Sequence, residues 1–221
     1  MSTEPQRRMS REDLVDALVA VDVETRIFRT YESGTPTFEN PTRWTALVSV
    51  ARGDEALGQG EGVLAATGFR ISTEDGANLL DALDAPDADT AAFVPLVGRD
   101  ADEWDESLGL EKPWGDLIIV DRVSVETEWQ HLGGVGRYLL GLALLEIARS
   151  QDVGLIALHA HPYQYAHSGT DEEIRAGKVR LVEVWGDLGF EQFQGSQLMT
   201  IDPHRMTLPE GVERLRVRLT Q

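Results

Sequence analysis

The sequence predicts one α/β domain built on a mixed β-sheet. Three observations carry that expectation. Strand-like and helix-like runs are interleaved along the chain. Hydrophobic residues make up 42% of the 221, enough for a core and too many for global disorder. One segment, Asp116 to Ala148 (DLIIVDRVSVETEWQHLGGVGRYLLGLALLEIA), runs an apolar strand into a glycine turn that opens a helix.

The elements follow in order. Met1 to Ser10 is polar and expected to fray. Ser10 can cap a helix over Arg11 to Val21, with Leu14, Leu18 and Val21 on one face. Thr25 to Tyr31 reads as a short strand and Gly34 to Pro41 as a loop. Trp44 to Ala51 and Gly62 to Ile71 read as strands joined by a glycine-rich turn, hence a hairpin. Asn78 to Leu83 and Thr90 to Val97 are short helices inside an acidic stretch over residues 72–111, and Trp104 to Pro113 is a loop. Leu117 to Val125 is a strand, Gly136 to Ser150 a helix, Leu155 to His159 a buried strand and Ile174 to Leu188 a helix. Phe190 to Phe193 and Gln197 to Ile201 form a hairpin around Gly195. Leu215, Val217 and Leu219 alternate with Arg214, Arg216 and Arg218, which suggests a half-exposed edge strand. No repeat or low-complexity segment interrupts this order, and the chain 1–221 reads as a single domain.

Composition excludes several functions. Cysteine is absent, so there is no disulfide, no thiolate-bound zinc and no thiol nucleophile. The net charge of −18 opposes binding to a nucleic-acid backbone and suits a cationic partner such as an amine or basic peptide. The charge is uneven: Glu74 to Glu111 holds twelve acidic residues and one basic residue, Arg99. No apolar run has membrane-spanning length and no leader-like segment opens the chain. A soluble, cytoplasmic protein is expected.

The glycine turn, with Gly133, Gly134 and Gly136, offers backbone N–H groups at the positive end of a helix dipole, a seat for a phosphate or pyrophosphate. A P-loop needs Gly-Lys-Ser/Thr, but Arg137 and Tyr138 follow Gly136. A dinucleotide fold needs a third glycine after Gly134-Val135-Gly136 and an acid ending the next strand. Leu139 and His159 stand there instead.

The segment resembles the acyl-CoA-binding motif of the GNAT family of N-acetyltransferases, Arg/Gln-x-x-Gly-x-Gly/Ala between the fourth strand and the next helix. The match is His131-Leu132-Gly133-Gly134-Val135-Gly136, followed by Arg137, with His131 departing from Arg/Gln and Gln130 one place earlier. Downstream, Trp185-Gly186-Asp187-Leu188-Gly189-Phe190 is similar to the family's Tyr-x-x-Leu-Gly-Phe signature. The resemblance covers residues 116–201. The Trp44–Ile71 hairpin is compatible with its second and third strands, and 72–111 is an acidic insertion without counterpart.

The resemblance implies a mostly antiparallel sheet, flanked by helices, with a splay between the fourth and fifth strands. It implies that acetyl-CoA, or another acyl-CoA, is the co-substrate of an N-acyltransferase, with no metal. The backbone of Val123, Ser124 and Val125 would pair with the pantetheine arm. The N–H groups from His131 through Leu132, Gly133, Gly134 and Val135 to Gly136, with Arg137 beside them, would hold the pyrophosphate. Asp121, interrupting the apolar run Leu117–Val120, is the candidate base. The family's acid position holds Trp185, which has no acid proton. Candidate catalytic groups therefore extend to His159, His161 and Tyr163 after the fifth strand, and a metal lacks a third ligand beside the two histidines. Two functions stay open: acyl transfer to an amine acceptor, or an acyl-CoA-binding or regulatory module without catalysis. A homodimer is expected by analogy.

Overall fold

The structure, a computed structural model, describes residues 11–18, 20–27, 31–32, 35–36, 41–51, 60–73, 79–84, 88–99, 103–110, 115–150, 152–161 and 170–221. The expected frayed segment 1–10 lies outside these residues.

Seven strands form the main sheet: β1 (Val21–Ile27), β4 (Thr42–Val50), β5 (Glu61–Ile71), β6 (Asp116–Val125), β7 (Val153–His159), β8 (Glu191–Gln192) and β9 (Leu198–Ile201). Their spatial order is β1-β4-β5-β6-β7-β9-β8. Only β6 and β7 run parallel; every other neighbouring pair is antiparallel. β2 (Tyr31–Glu32) and β3 (Thr35–Pro36) make a separate two-stranded ribbon, within what read as the end of a strand and a loop. The helices are α1 (Arg11–Ala17), α2 (Leu79–Leu83), α3 (Ala88–Ala91), α4 (Val135–Ser150), α5 (Asp171–Gly186) and α6 (Thr207–Thr220). The fold class is the expected one: a mixed, mostly antiparallel sheet between helical layers.

The largest differences from expectation lie toward the two ends of the chain. The first helix stops at Ala17, not Val21, and the first strand starts at Val21, not Thr25. Val21, Val23, Thr25 and Ile27 alternate with Asp22, Glu24 and Arg26, and all seven pair with β4, from Val21 opposite Val50 to Ile27 opposite Trp44. Sheet pairing takes over residues whose apolar spacing also fitted a helix. The end of the chain is a helix, not an edge strand. In α6, Leu208, Gly211, Val212, Leu215 and Leu219 are buried, the spacing of one helical face. Leu215 and Leu219 satisfy both the two-residue and the four-residue repeat, so a short window reads either way.

The sheet is buried on both faces. Against one face pack α1, α4 and α6, through residues such as Leu14, Leu140, Leu144 and Leu215, onto Val48, Ile118, Val120 and Ile156. Against the other lies the acidic stretch. Its Leu79, Leu83, Phe93, Leu96 and Trp104 close over Phe69, Ile71, Leu117, Ile119, Leu155 and Ala157. The Thr90 hydroxyl donates to the Leu83 carbonyl at 2.9 Å and ties α3 to α2. At the margin of this layer the buried Asp116 carboxylate pairs with Arg70 and accepts the Thr73 N–H at 3.3 Å. Leu83 is fully buried. Leu83→Ala is therefore expected to lower unfolding free energy by about 2–5 kcal/mol, read from the shift of the urea midpoint. A change below about 0.5 kcal/mol, the range of surface substitutions, would mean that this stretch does not cover the sheet.

Candidate functional site

The site begins where two strands part. β6 pairs with β7 from Asp116 to Val120, ending at Val120 opposite Leu158. Beyond that point β7 continues beside β9, while β6, among the described residues, continues beside β5 alone. A bulge sits at the parting. Thr67 opposes Arg122 and Gly68 opposes Val120, so Asp121 has no opposite residue. A bulge bends its strand and re-aims the extra side chain.

Two neighbours lock this bulge. A Cβ on Gly68 would run into the Ile119 carbonyl and lie 2.9 Å from Trp44 Nε1. The Trp44 indole N–H is shared between the Phe69 and Ile119 carbonyls, 3.2 Å from each.

The parting leaves a polar edge. The Glu126 N–H donates to the Val63 carbonyl of β5 at 2.9 Å. Backbone groups alternate sides along a strand, so those of Val123 and Val125 face away from β5, toward the opening. The Val125 carbonyl accepts the Gln130 side-chain amide at 2.8 Å, which engages Gln130 in ending the strand. Ser124 points its backbone the other way, toward β5.

The edge leads into the glycine turn. A 3-10 turn over Thr127–Trp129 buries Trp129. His131, Gly133 and Gly134 then take φ of 62°, 64° and 111°, the left-handed region that glycine enters without cost and histidine enters more readily than most residues. α4 starts at Val135, and first-turn N–H groups have no acceptor within a helix. A Cβ on Gly136 would come 2.9 Å from Val125 Cγ2, so this glycine lets the helix start against the strand end. Leu132 is half-buried.

Arg137 lies over the turn: a Cβ on Gly134 would sit 3.0 Å from its Nη2. Its guanidinium is ion-paired with Asp187, offsetting a cation placed at a helix N-terminus. Arg218 approaches the same carboxylate at 3.4 Å, and Arg214 approaches the Asp187 carbonyl at 3.4 Å. Thus the Trp185–Phe190 segment meets the glycine turn directly. Asp187 is the residue that sequence reading passed over. Its presence in that segment was a signal, but its partner stands fifty positions earlier. Trp185 packs edge-on to Phe190, ring centroids 6.4 Å apart.

Across the opening stands His159, the position after Leu158 on β7 as Asp121 is the position after Val120 on β6. Asp121 and His159 thus flank the mouth of the splay. Asp121 is half-buried. The His159 and His161 rings stack at 5.7 Å and 18°; β7 ends at His159, and the chain turns there, the His161 N–H donating to the His159 carbonyl at 2.7 Å. Burial pushes the His159 pKa below its ordinary value, and the charges of His161 and Lys178 push the same way, against a hydrogen bond to the Gln197 side chain that pushes it up. Tyr163 lies outside the described residues. Among those described, no group of three His, Asp or Glu side chains is placed to hold a metal, and no helix is long and apolar enough to cross a membrane.

α5 runs between these groups, its Lys178 acting on His159 and its C-cap Asp187 on Arg137. A capping box fixes its start: the Glu173 N–H donates to the Thr170 hydroxyl at 3.3 Å and the Thr170 N–H to Glu173 at 2.7 Å. Yet none of its sixteen residues is buried. Ile174, Leu181, Val182 and Trp185 form an apolar stripe that is only half covered, less than a packed amphipathic helix achieves.

Fold and site together define a mixed α/β protein with a glycine turn and a helix N-terminus beside a strand splay. Among solved structures, the chain is similar to the crystal structure of Arabidopsis thaliana NAA60 in complex with acetyl-CoA. The two are 12% identical, with 82% of this chain and 98% of that chain covered and a TM-score of 0.37. No protein-family model matches the chain, and no curated protein matches it.

Proposed function

We propose that the chain transfers an acyl group, acetyl first among them, from acyl-CoA to an amine. The observation that carries this reading is continuity: the open edge of β6 at Val123 and Val125 leads within ten residues to the first-turn N–H groups of α4. An extended amide-bearing arm fits the edge by strand-like hydrogen bonding. The pyrophosphate at its end meets the N–H groups of Gly133, Gly134 and Gly136 and the charge of Arg137, while the Val135 N–H donates to the Leu132 carbonyl at 3.3 Å. The half-covered stripe of α5 supplies apolar wall beside them.

At the mouth of the splay, His159 is neutral at pH 7 because its pKa is lowered, so it takes a proton from the acceptor's ammonium and frees the amine lone pair for attack. The free amine forms a C–N bond to the thioester carbon, the C–S bond breaks, and the second proton of the nitrogen is released to water. The proton held by His159 is then available to the departing thiolate, which removes the need for an acid at Trp185. Asp121, on the facing strand, is placed to steer the cationic amine and to orient water, and the acidic surface draws such an acceptor in.

Thiol release from acetyl-CoA with a panel of amines tests this reading. Protonating His159 blocks proton acceptance, so activity is lost as pH falls through a pKa below 6.5 and is level above it. His159→Gln is expected to lower the rate about a hundredfold without changing acetyl-CoA affinity. Trp185 in the acid position favours one other reading, a binding module without chemistry. Binding of acetyl-CoA with no thiol release for any amine would select it.

A further inference from the structure

The strongest feature outside the splay is the free edge of the sheet. β1 pairs with β4 through all seven of its residues, and its outer side has no strand partner among the described residues. The opposite edge, β8, is two residues long. Short edges protect themselves; long regular ones are templates for another chain. β1 has no proline, no lysine and no register shift.

Its sequence is also complementary to itself. Val23 and Ile27 pack toward the core on one face, while Glu24 and Arg26 are exposed on the other. In a single chain these two charges satisfy each other along the strand, Arg26 Nε to Glu24 Oε1 at 2.7 Å.

We propose that two copies of this chain join through β1, antiparallel about a two-fold axis at Thr25, to give one continuous sheet across a homodimer. That register sets Glu24 opposite Arg26 of the second copy, twice, and Val23 opposite Ile27 of the second copy, twice, with Thr25 facing its own counterpart. Cross-strand neighbours at this spacing interact directly, opposite charges favourably and like charges unfavourably. A register centred on Glu24 sets two carboxylates face to face and is disfavoured. The two-fold makes the contact self-limiting, because each chain spends its one long edge.

Charge exchange tests both the interface and its register. The wild-type chain is expected to sediment as a dimer. Glu24→Arg and Arg26→Glu each bring like charges together twice, and each is expected to weaken the dimer about tenfold or more. Mixing the two variants restores both opposite-charge pairs, so a one-to-one heterodimer forms, identified by its mass in native mass spectrometry. Both substitutions lie on an exposed face, and circular dichroism checks that each variant folds. A monomeric wild type, variants that remain dimers, or a mixture that stays monomeric would each overturn the proposal.

Discussion

Gly134→Trp is expected to raise the dissociation constant for acetyl-CoA about a hundredfold or more while leaving the sheet intact. Gly134 has φ of 111° and faces the Arg137 guanidinium, with 3.0 Å left for a Cβ before Nη2 and 3.4 Å before Cζ. An indole at this position occupies the space in front of the first-turn N–H groups and displaces Arg137 from Asp187. A hundredfold corresponds to about 2.7 kcal/mol, the scale of a lost set of charge-assisted hydrogen bonds. The substitution sits at the rim, where the non-glycine backbone conformation costs about 1–2 kcal/mol of stability, so the chain stays folded. Calorimetric titration of folded variant and wild type with acetyl-CoA gives the answer. Equal affinities would remove the turn from the binding site.

Gly68→Ala is expected to be among the most damaging single-methyl changes in the chain, costing about 3 kcal/mol or more. The added carbon has no free space: it meets the Ile119 carbonyl and the Trp44 indole nitrogen at once. Relief requires β5 and β6 to separate at the bulge, which breaks the two hydrogen bonds from Trp44. Trp44→Phe removes those bonds without the clash and is expected to cost less. Urea unfolding of both variants compares them. A Gly68→Ala loss below about 1 kcal/mol would mean that the bulge is slack and that the splay is not fixed by it.

Much of this architecture is legible in the sequence, for identifiable reasons. The strand, turn and helix from Asp116 to Ser150 announce themselves because an apolar run, a glycine cluster and a long helical repeat follow without interruption. The β4–β5 hairpin is legible from β-branched runs and a short connection. α6 is not, because Leu215 and Leu219 fit two periods and only packing against α4 decides between them. β1 is misplaced because sheet pairing overrides a helix-compatible spacing at Val21. In the acidic stretch, charge draws the eye from Leu79, Leu83, Phe93 and Leu96, whose spacing carries the second core. The site divides in the same way. Its glycines and the His159–His161 pair are local patterns. The pairing of Arg137 with Asp187 and the bulge at Asp121 are long-range facts that no local window contains.

The bulge has one more effect, on the phase of β6. Before it, the even residues Ile118 and Val120 face the core beneath α4; after it, the odd residues Val123 and Val125 do. Asp121 is thus an insertion in the reading frame of the pleat, and the bulge absorbs it, so that Arg122 takes the face opposite Val120. Were the strand regular with Asp121 kept, the extra residue would turn Val123 and Val125 out and swing Arg122 and Ser124 inward; were Asp121 deleted, the bulge would vanish and Val123 and Val125 would still face the core. Replacing it would leave that frame untouched. Position 121 thus holds two separable features: its side chain stands at the mouth of the splay, and the bulge in its backbone keeps the rest of the strand in phase.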